Sequence, residues 1–149
     1  MNISDFFTNA LDLMNQHGVF EKDYHLELDR SKSRLGLCNH TKKKITISKN
    51  FVEQQDWDVI KNTVLHEIAH ALVGPNHGHN HVWRQQAMAI GCNGMRCSNV
   101  KLDVPAKYEA FCAGCDKVVG HYHRKPKYLN GGGSYTHKTC GSSLEIKPC

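Results

Sequence analysis

Apolar and polar residues alternate along this chain with two different periods, and the changes of period mark out its elements. From Ile3 to His17, the residues Ile3, Phe6, Phe7, Ala10, Leu11 and Met14 recur at three- and four-residue intervals and so share one face of a helix. Ser4 or Asp5 is available to cap that helix and Gly18 to stop it. HLELDRS (25–31) and KKITISKNF (43–51) alternate with period two instead, as strands with one buried face do. RLGLCNHTKK lies between them, with Asn39 and His40 near a turn, so a small antiparallel sheet of two or three strands is predicted.

Helical spacing returns from Val52 to Val73, where Trp57, Ile60, Val64, Ile68 and Ala71 lie on or near one face until Gly74-Pro75-Asn76 breaks it. A further helix is predicted from Asn80 to Ile90, ended by Gly91. Residues 98–108 carry no clear period and read as a linker. After them the texture changes to paired cysteines and short strands, DKVVGHYHR (116–124) and SLEIK (143–147), with NGGG (130–133) as a loop. The expected organisation is α+β: residues 1–97 hold helices and a small sheet, and 109–149 form a second, smaller body.

With 149 residues, the second body is too small for an apolar core of its own and needs a staple. No apolar run approaches the roughly 20 residues of a membrane span, and the first residues lack the basic start and cleavage site of an export signal. A cytoplasmic protein acting as a monomer, away from membranes, is therefore expected. In a reducing compartment seven cysteines favour thiols or metal ligands over disulfides. The net charge of +5 is uneven: residues 1–95 carry ten Lys/Arg against ten Asp/Glu, residues 96–149 nine against four.

The densest chemistry is TVLHEIAHALVGPNHGHNHVW, residues 63–83. His66 and His70, four apart on a helix, project from one face on successive turns and can reach one ion. Glu67 can take the proton of a water activated by that ion without itself ligating. With eleven histidines and six glutamates in the chain, the pattern HExxH is expected by chance roughly 0.03 times. A catalytic zinc takes a third protein ligand and keeps an open position. A metzincin would have glycine at 73 and histidine at 76, where this chain has Val73 and Asn76, so the residues alone leave His77, His79 and His81 as candidates. His17, His25 and His40 read as structural.

HEIAHALVG followed by HGHNHVW and a helix ending in glycine resembles the SprT-like family of zinc metalloproteases, the SprT/Spartan type of domain. The resemblance implies a minimal zincin-like metalloprotease domain, often followed by a zinc ribbon, acting on proteins crosslinked to DNA. It also implies that the third zinc histidine lies four residues before an aromatic. With Trp83 as that aromatic, the ligand is His79. His77 and His81 themselves read as exposed loop residues.

Cys112 and Cys115, then His137 and Cys140, repeat a two-residue gap that suits a zinc ribbon, so a second, structural Zn2+ is expected. Cys92 and Cys97 read as small buried groups; the alternative joins them to Cys112 and Cys115 as a four-thiolate site, and Cys149 could replace His137. Lys117, Arg124, Lys125, Lys127 and Lys138 alternate with Tyr122, Tyr128 and Tyr135, a mixture suited to phosphate contact and base stacking. The expected partners are a protein substrate and DNA, single strands preferred. The rivals are a non-catalytic nucleic-acid-binding zinc protein, against which Glu67 argues, and a zinc hydrolase of another amide such as a cell-wall link.

Overall fold

The computed structural model describes residues 1–123 and 136–148, which fall into two units, Met1–Asp103 and Val104–Cys149. NGGG, Arg124, Lys125, Lys127, Tyr128, Tyr135 and Cys149 lie outside the described residues. No described helix is long and apolar enough to cross a membrane.

In the first unit, α1 (Ile3–Gln16) buries Phe6, Ala10, Leu13 and Met14. Its cap is Asn2, whose Oδ1 accepts from the amides of Ser4 at 2.7 Å and Asp5 at 3.4 Å. Ser4 and Asp5 themselves lie inside the first turn, where their amides need acceptors, so neither is the cap. Gly18 follows in the left-handed region, φ 72°, and a 3-10 turn (Val19–Lys22) leads into the sheet.

The sheet contains β1 (His25–Asp29), β2 (Gly36–Asn39) and β3 (Lys44–Ser48) in the order β1-β3-β2. It is mixed, correcting the antiparallel expectation: β3 runs parallel to β1 and antiparallel to β2. The cause is burial. Ile45, Thr46, Ile47 and Ser48 are all buried, so β3 takes the centre. The buried Ser48 hydroxyl is satisfied by donating to the Ser31 carbonyl at 2.8 Å.

The helix expected from Val52 to Val73 is two helices, α2 (Lys49–Gln54) and α3 (Trp57–Val73), divided where Gln55 turns extended at φ −123°, ψ 161°. α3 buries Ile60, Thr63, Val64, Leu65, Glu67, Ile68, Ala69 and Ala71, residues from more than one side, because it runs through the unit's interior. It stops at Gly74, φ 86°. Asn80 caps α4 (His81–Ala89) by accepting from the amides of Val82 at 3.0 Å and Trp83 at 3.2 Å.

The second unit is an antiparallel sheet, β4 (Tyr108–Cys112), β5 (Lys117–Tyr122) and β6 (Leu144–Pro148), in the order β5-β4-β6. β5 falls within the segment read as a strand, and β6 overlaps its own, running one residue further to Pro148. The central strand does not: Tyr108, read as linker, already belongs to β4, which buries only Ala110 and Cys112.

Candidate metal centre

α3 supplies the base of the first site. With its other sides packed, it keeps His66 and His70 half-buried on one face. The chain leaves α3 through Gly74 and returns through Gly78, φ 54°, bringing His79 to the cap of α4. There His79 Nε2 lies 3.0 Å from His66 Nε2 and 3.1 Å from His70 Nε2. A tetrahedral zinc with bonds of 2.0–2.1 Å would set such nitrogens about 3.3 Å apart, so the triad fits the ion. His77 and His81 are not in this group. The ring of His77 instead lies 3.3 Å from the Asn80 amide nitrogen, and His81 is exposed.

Trp83, 1% exposed, backs all three imidazoles, with ring centroids 4.5 Å from His66, 5.2 Å from His70 and 4.7 Å from His79. Its indole N–H donates to the His66 carbonyl at 3.3 Å. Burial, reinforced by mutual repulsion, pushes His66 and His70 down to about 4 and holds His79 below its ordinary value through burial and the nearby Arg96. All three are therefore neutral near pH 7, the state that ligates a metal. The Met95 backbone beside the His66 ring acts in the opposite sense.

The three histidines and Glu67 line one cleft of about 570 Å³. Glu67 is 7% exposed, and its burial drives the carboxyl up to about 8, with Arg34 acting in the opposite sense. A dication among the adjacent imidazoles would draw it down again. Gly36 of β2 makes room for this side chain: a Cβ there would come within 3.1 Å of Glu67 Cγ and Oε1. Across the cleft, Met95, Arg96 and Cys97 come from a loop tied to α3, where Asn62 accepts the Asn93 amide at 2.9 Å. Cys92 is buried as expected; Cys97 is exposed, contrary to expectation, because it sits on the open lip of this loop.

In the second unit, Cys112, Cys115, His137 and Cys140 converge. The Cys112 and Cys140 sulfurs are 3.3 Å apart, and His137 Nδ1 is 3.4 Å from both Cys115 and Cys140. Free sulfurs do not pack this closely by preference, and three thiols with one imidazole are an ordinary zinc donor set. Tight backbone makes the convergence possible: Gly141 turns at φ 72° while its amide donates to the His137 carbonyl at 2.7 Å. A Cβ on Gly114 would collide with Ser142 and stand 3.4 Å from the Cys140 sulfur. Lys117, Lys138 and Tyr122 are exposed.

Sequence reasoning missed Gly36, Met95 and Asn62, and it read His40, which also lines the cleft, as structural. A signal for two of these existed: Gly36 and Cys38, spaced by two along β2, share a face, and His40 follows at the same interval in the turn.

No curated protein matches the chain. The model of the SprT-like family matches residues 4–105, a span that contains the whole three-histidine site and both walls of its cleft. The chain therefore belongs to the SprT-like family.

Proposed function

We propose that the chain is a zinc metallopeptidase that cleaves DNA-associated proteins, including proteins crosslinked to DNA. The SprT-like family is a metallopeptidase-like family. The observation that carries the proposal for this chain is the convergence of three neutral imidazoles beside a buried carboxylate in one open cleft. His66, His70 and His79 would hold the catalytic zinc, and Cys112, Cys115, His137 and Cys140 a structural zinc in a ribbon spanning residues 109–149. When bound, the catalytic zinc supplies Lewis acidity toward a peptide carbonyl and lowers the pKa of a neighbouring water.

Glu67 accepts that water's proton as its oxygen bonds to the carbonyl carbon, then delivers the proton to the departing amine as the C–N bond breaks. Walled in by Gly36 and α3, the carboxylate is held to a narrow range of positions. A purely structural zinc site has no use for such a group, which favours an enzyme over a non-catalytic nucleic-acid-binding protein. The DNA half of the proposal is supported by the charge excess of residues 96–149 and by exposed Lys117, Lys138 and Tyr122. Phosphate contact and stacking by such residues suit single strands. A cytoplasmic monomer is the form in which we expect it to act.

The test is zinc content together with proteolysis of a DNA-binding protein, with and without single-stranded DNA. Two zinc ions per chain are expected. Glu67→Gln keeps both and loses about 10³-fold in rate. His79→Ala loses one ion and His77→Ala none. Full activity in zinc-loaded Glu67→Gln refutes the peptidase mechanism. Rates indifferent to DNA, with no salt-sensitive DNA binding, remove the DNA half alone.

A further inference from the structure

Gly36, Cys38 and His40 follow one another along β2 and into its turn, and all three line the cleft. Gly36 touches Glu67, while His40 at the other end is near enough to His70 for repulsion between the rings to help depress it. This face of β2 therefore runs beside α3 from the candidate base toward a candidate metal ligand.

The His40 ring is anchored from behind. Its Nδ1 lies 2.7 Å from the hydroxyl of Tyr24, a residue 4% exposed, and 4.0 Å from the Cys38 sulfur. Burial, then the neighbouring Cys38, pushes the Tyr24 hydroxyl up to about 12, so it keeps its proton and can donate it. Burial also holds His40 below its ordinary value, so the ring is neutral near pH 7. A neutral imidazole that accepts at Nδ1 carries its own proton on Nε2. Among the described residues both polar contacts of the ring are made through Nδ1, which leaves the Nε2–H without a protein partner.

We propose that His40 is a catalytic residue whose Nε2–H donates a hydrogen bond to the scissile carbonyl oxygen as negative charge develops there, with Tyr24 as the positioning residue that fixes the tautomer. The proposal rests on the metallopeptidase reading. A donor already aimed into a partly desolvated cleft stabilises charge that appears only in the transition state, so its loss acts on kcat more than on KM. Had the Tyr24–His40 pair served only to pack the hairpin turn, its removal would lower stability and leave the kinetics of the folded protein alone.

The experiment uses the zinc-loaded full chain as wild type, Glu67→Gln, His40→Ala, His40→Gln and Tyr24→Phe. Peptide hydrolysis, calorimetric affinity for a peptide phosphonate and 15N spectra of labelled histidines are measured. His40→Ala should keep its zinc and melting temperature, lose about 100-fold in kcat with KM little changed, and weaken phosphonate binding by a comparable factor. His40→Gln, whose amide can reach the same point, should recover part of both. The His40 signals should report the Nε2–H tautomer, mixed in Tyr24→Phe, and the Nε2–H proton should move downfield when phosphonate binds. If both His40 variants fail to fold, that wild-type shift decides: its absence overturns the proposal. Unchanged kcat and phosphonate affinity in His40→Ala, with hydrolysis abolished in Glu67→Gln, overturn it too and leave the peptidase standing. A zinc-loaded wild type that neither hydrolyses peptides nor binds phosphonate overturns the peptidase and this proposal together.

Discussion

Met1–Asp103 and Val104–Cys149 are held together by different forces. In the first unit twenty buried residues, from Phe6 through Ile45, Ile47 and Ile68 to Trp83 and Ala87, form one apolar cluster around α3. Among the described residues of the second unit, Ala110 and Cys112 are the only buried apolar positions, and four ligand-type side chains converge beside them. Burial stabilises by roughly 25 cal/mol per Å² of apolar surface, so two such positions contribute little against chain entropy, and a metal held by the four converging side chains would supply what that burial does not. The same ion type would thus have opposite relations to the fold: in the first unit packing builds a site that could receive zinc, and in the second zinc would build the packing.

Metal removal should break this comparison most sharply. Chelation, or Cys112→Ser, should unfold the second unit, since structural zinc contributes on the order of 10 kcal/mol to such small folds. The first unit should stay folded. Trp57 and Trp83 both lie there, so the wavelength of their emission should stay that of the folded unit, its intensity changing as metal leaves the histidines beside Trp83, while thiolate–cobalt absorbance from the second unit disappears in a cobalt-substituted sample. Loss of both signals together would mean that the first unit also depends on metal.

The reverse experiment is Phe51→Ala. Phe51 is wholly buried, and deleting its ring should cost the first unit about 3–5 kcal/mol. Urea denaturation followed by tryptophan fluorescence should record that loss, and the cobalt–thiolate signal should be unaffected.

A smaller effect concerns Glu67, the one charge-bearing side chain buried in the apolar cluster's helix. Its folded pKa of about 8 lies above the ordinary carboxylate value of 4.5, so the folded state holds the proton more tightly. The stability this gives is fully present below pH 4.5 and is lost as pH rises through 8. His66 and His70 act in the opposite sense, destabilising the fold as pH falls from 6.5 toward 4. Comparing metal-free wild type with Glu67→Gln isolates the carboxylate: the variant should gain on wild type as pH rises from 4.5 to 8, and added zinc should shrink that gap. Parallel stability curves would show that Glu67 is ionised in the metal-free fold.

Smallest should be Trp83→Phe, which keeps an aromatic behind the three imidazoles but removes the indole N–H from the His66 carbonyl. Loss of a partner that orients a metal ligand should weaken zinc at the three-histidine site by about 10-fold, measured by competition with a chelator, and leave the second unit's metal alone.

Much of this molecule is legible in its sequence because it is written in short-range spacing. The i, i+4 histidines of α3, the paired Cys-x-x-Cys and His-x-x-Cys, and the helical run of α1 all follow from local geometry that any helix or turn would impose. His79 needed more than spacing, since three histidines at 77, 79 and 81 are equivalent until the turns at Gly74 and Gly78 are fixed. The parallel pairing of β1 with β3, the break at Gln55 and the central strand β4 were hidden as well, because strand order depends on which strand has two faces to bury. The sequence by itself therefore determined the ligand types and their pairing along the chain, in the long helix and again in the last third. Only the tertiary structure decided which imidazoles share a point in space, that Gly36 opens room for Glu67, and that Tyr24 meets His40 at the wall of the cleft. Those are contacts between residues 9 to 31 positions apart, and their distances are set by core packing rather than by any local repeat.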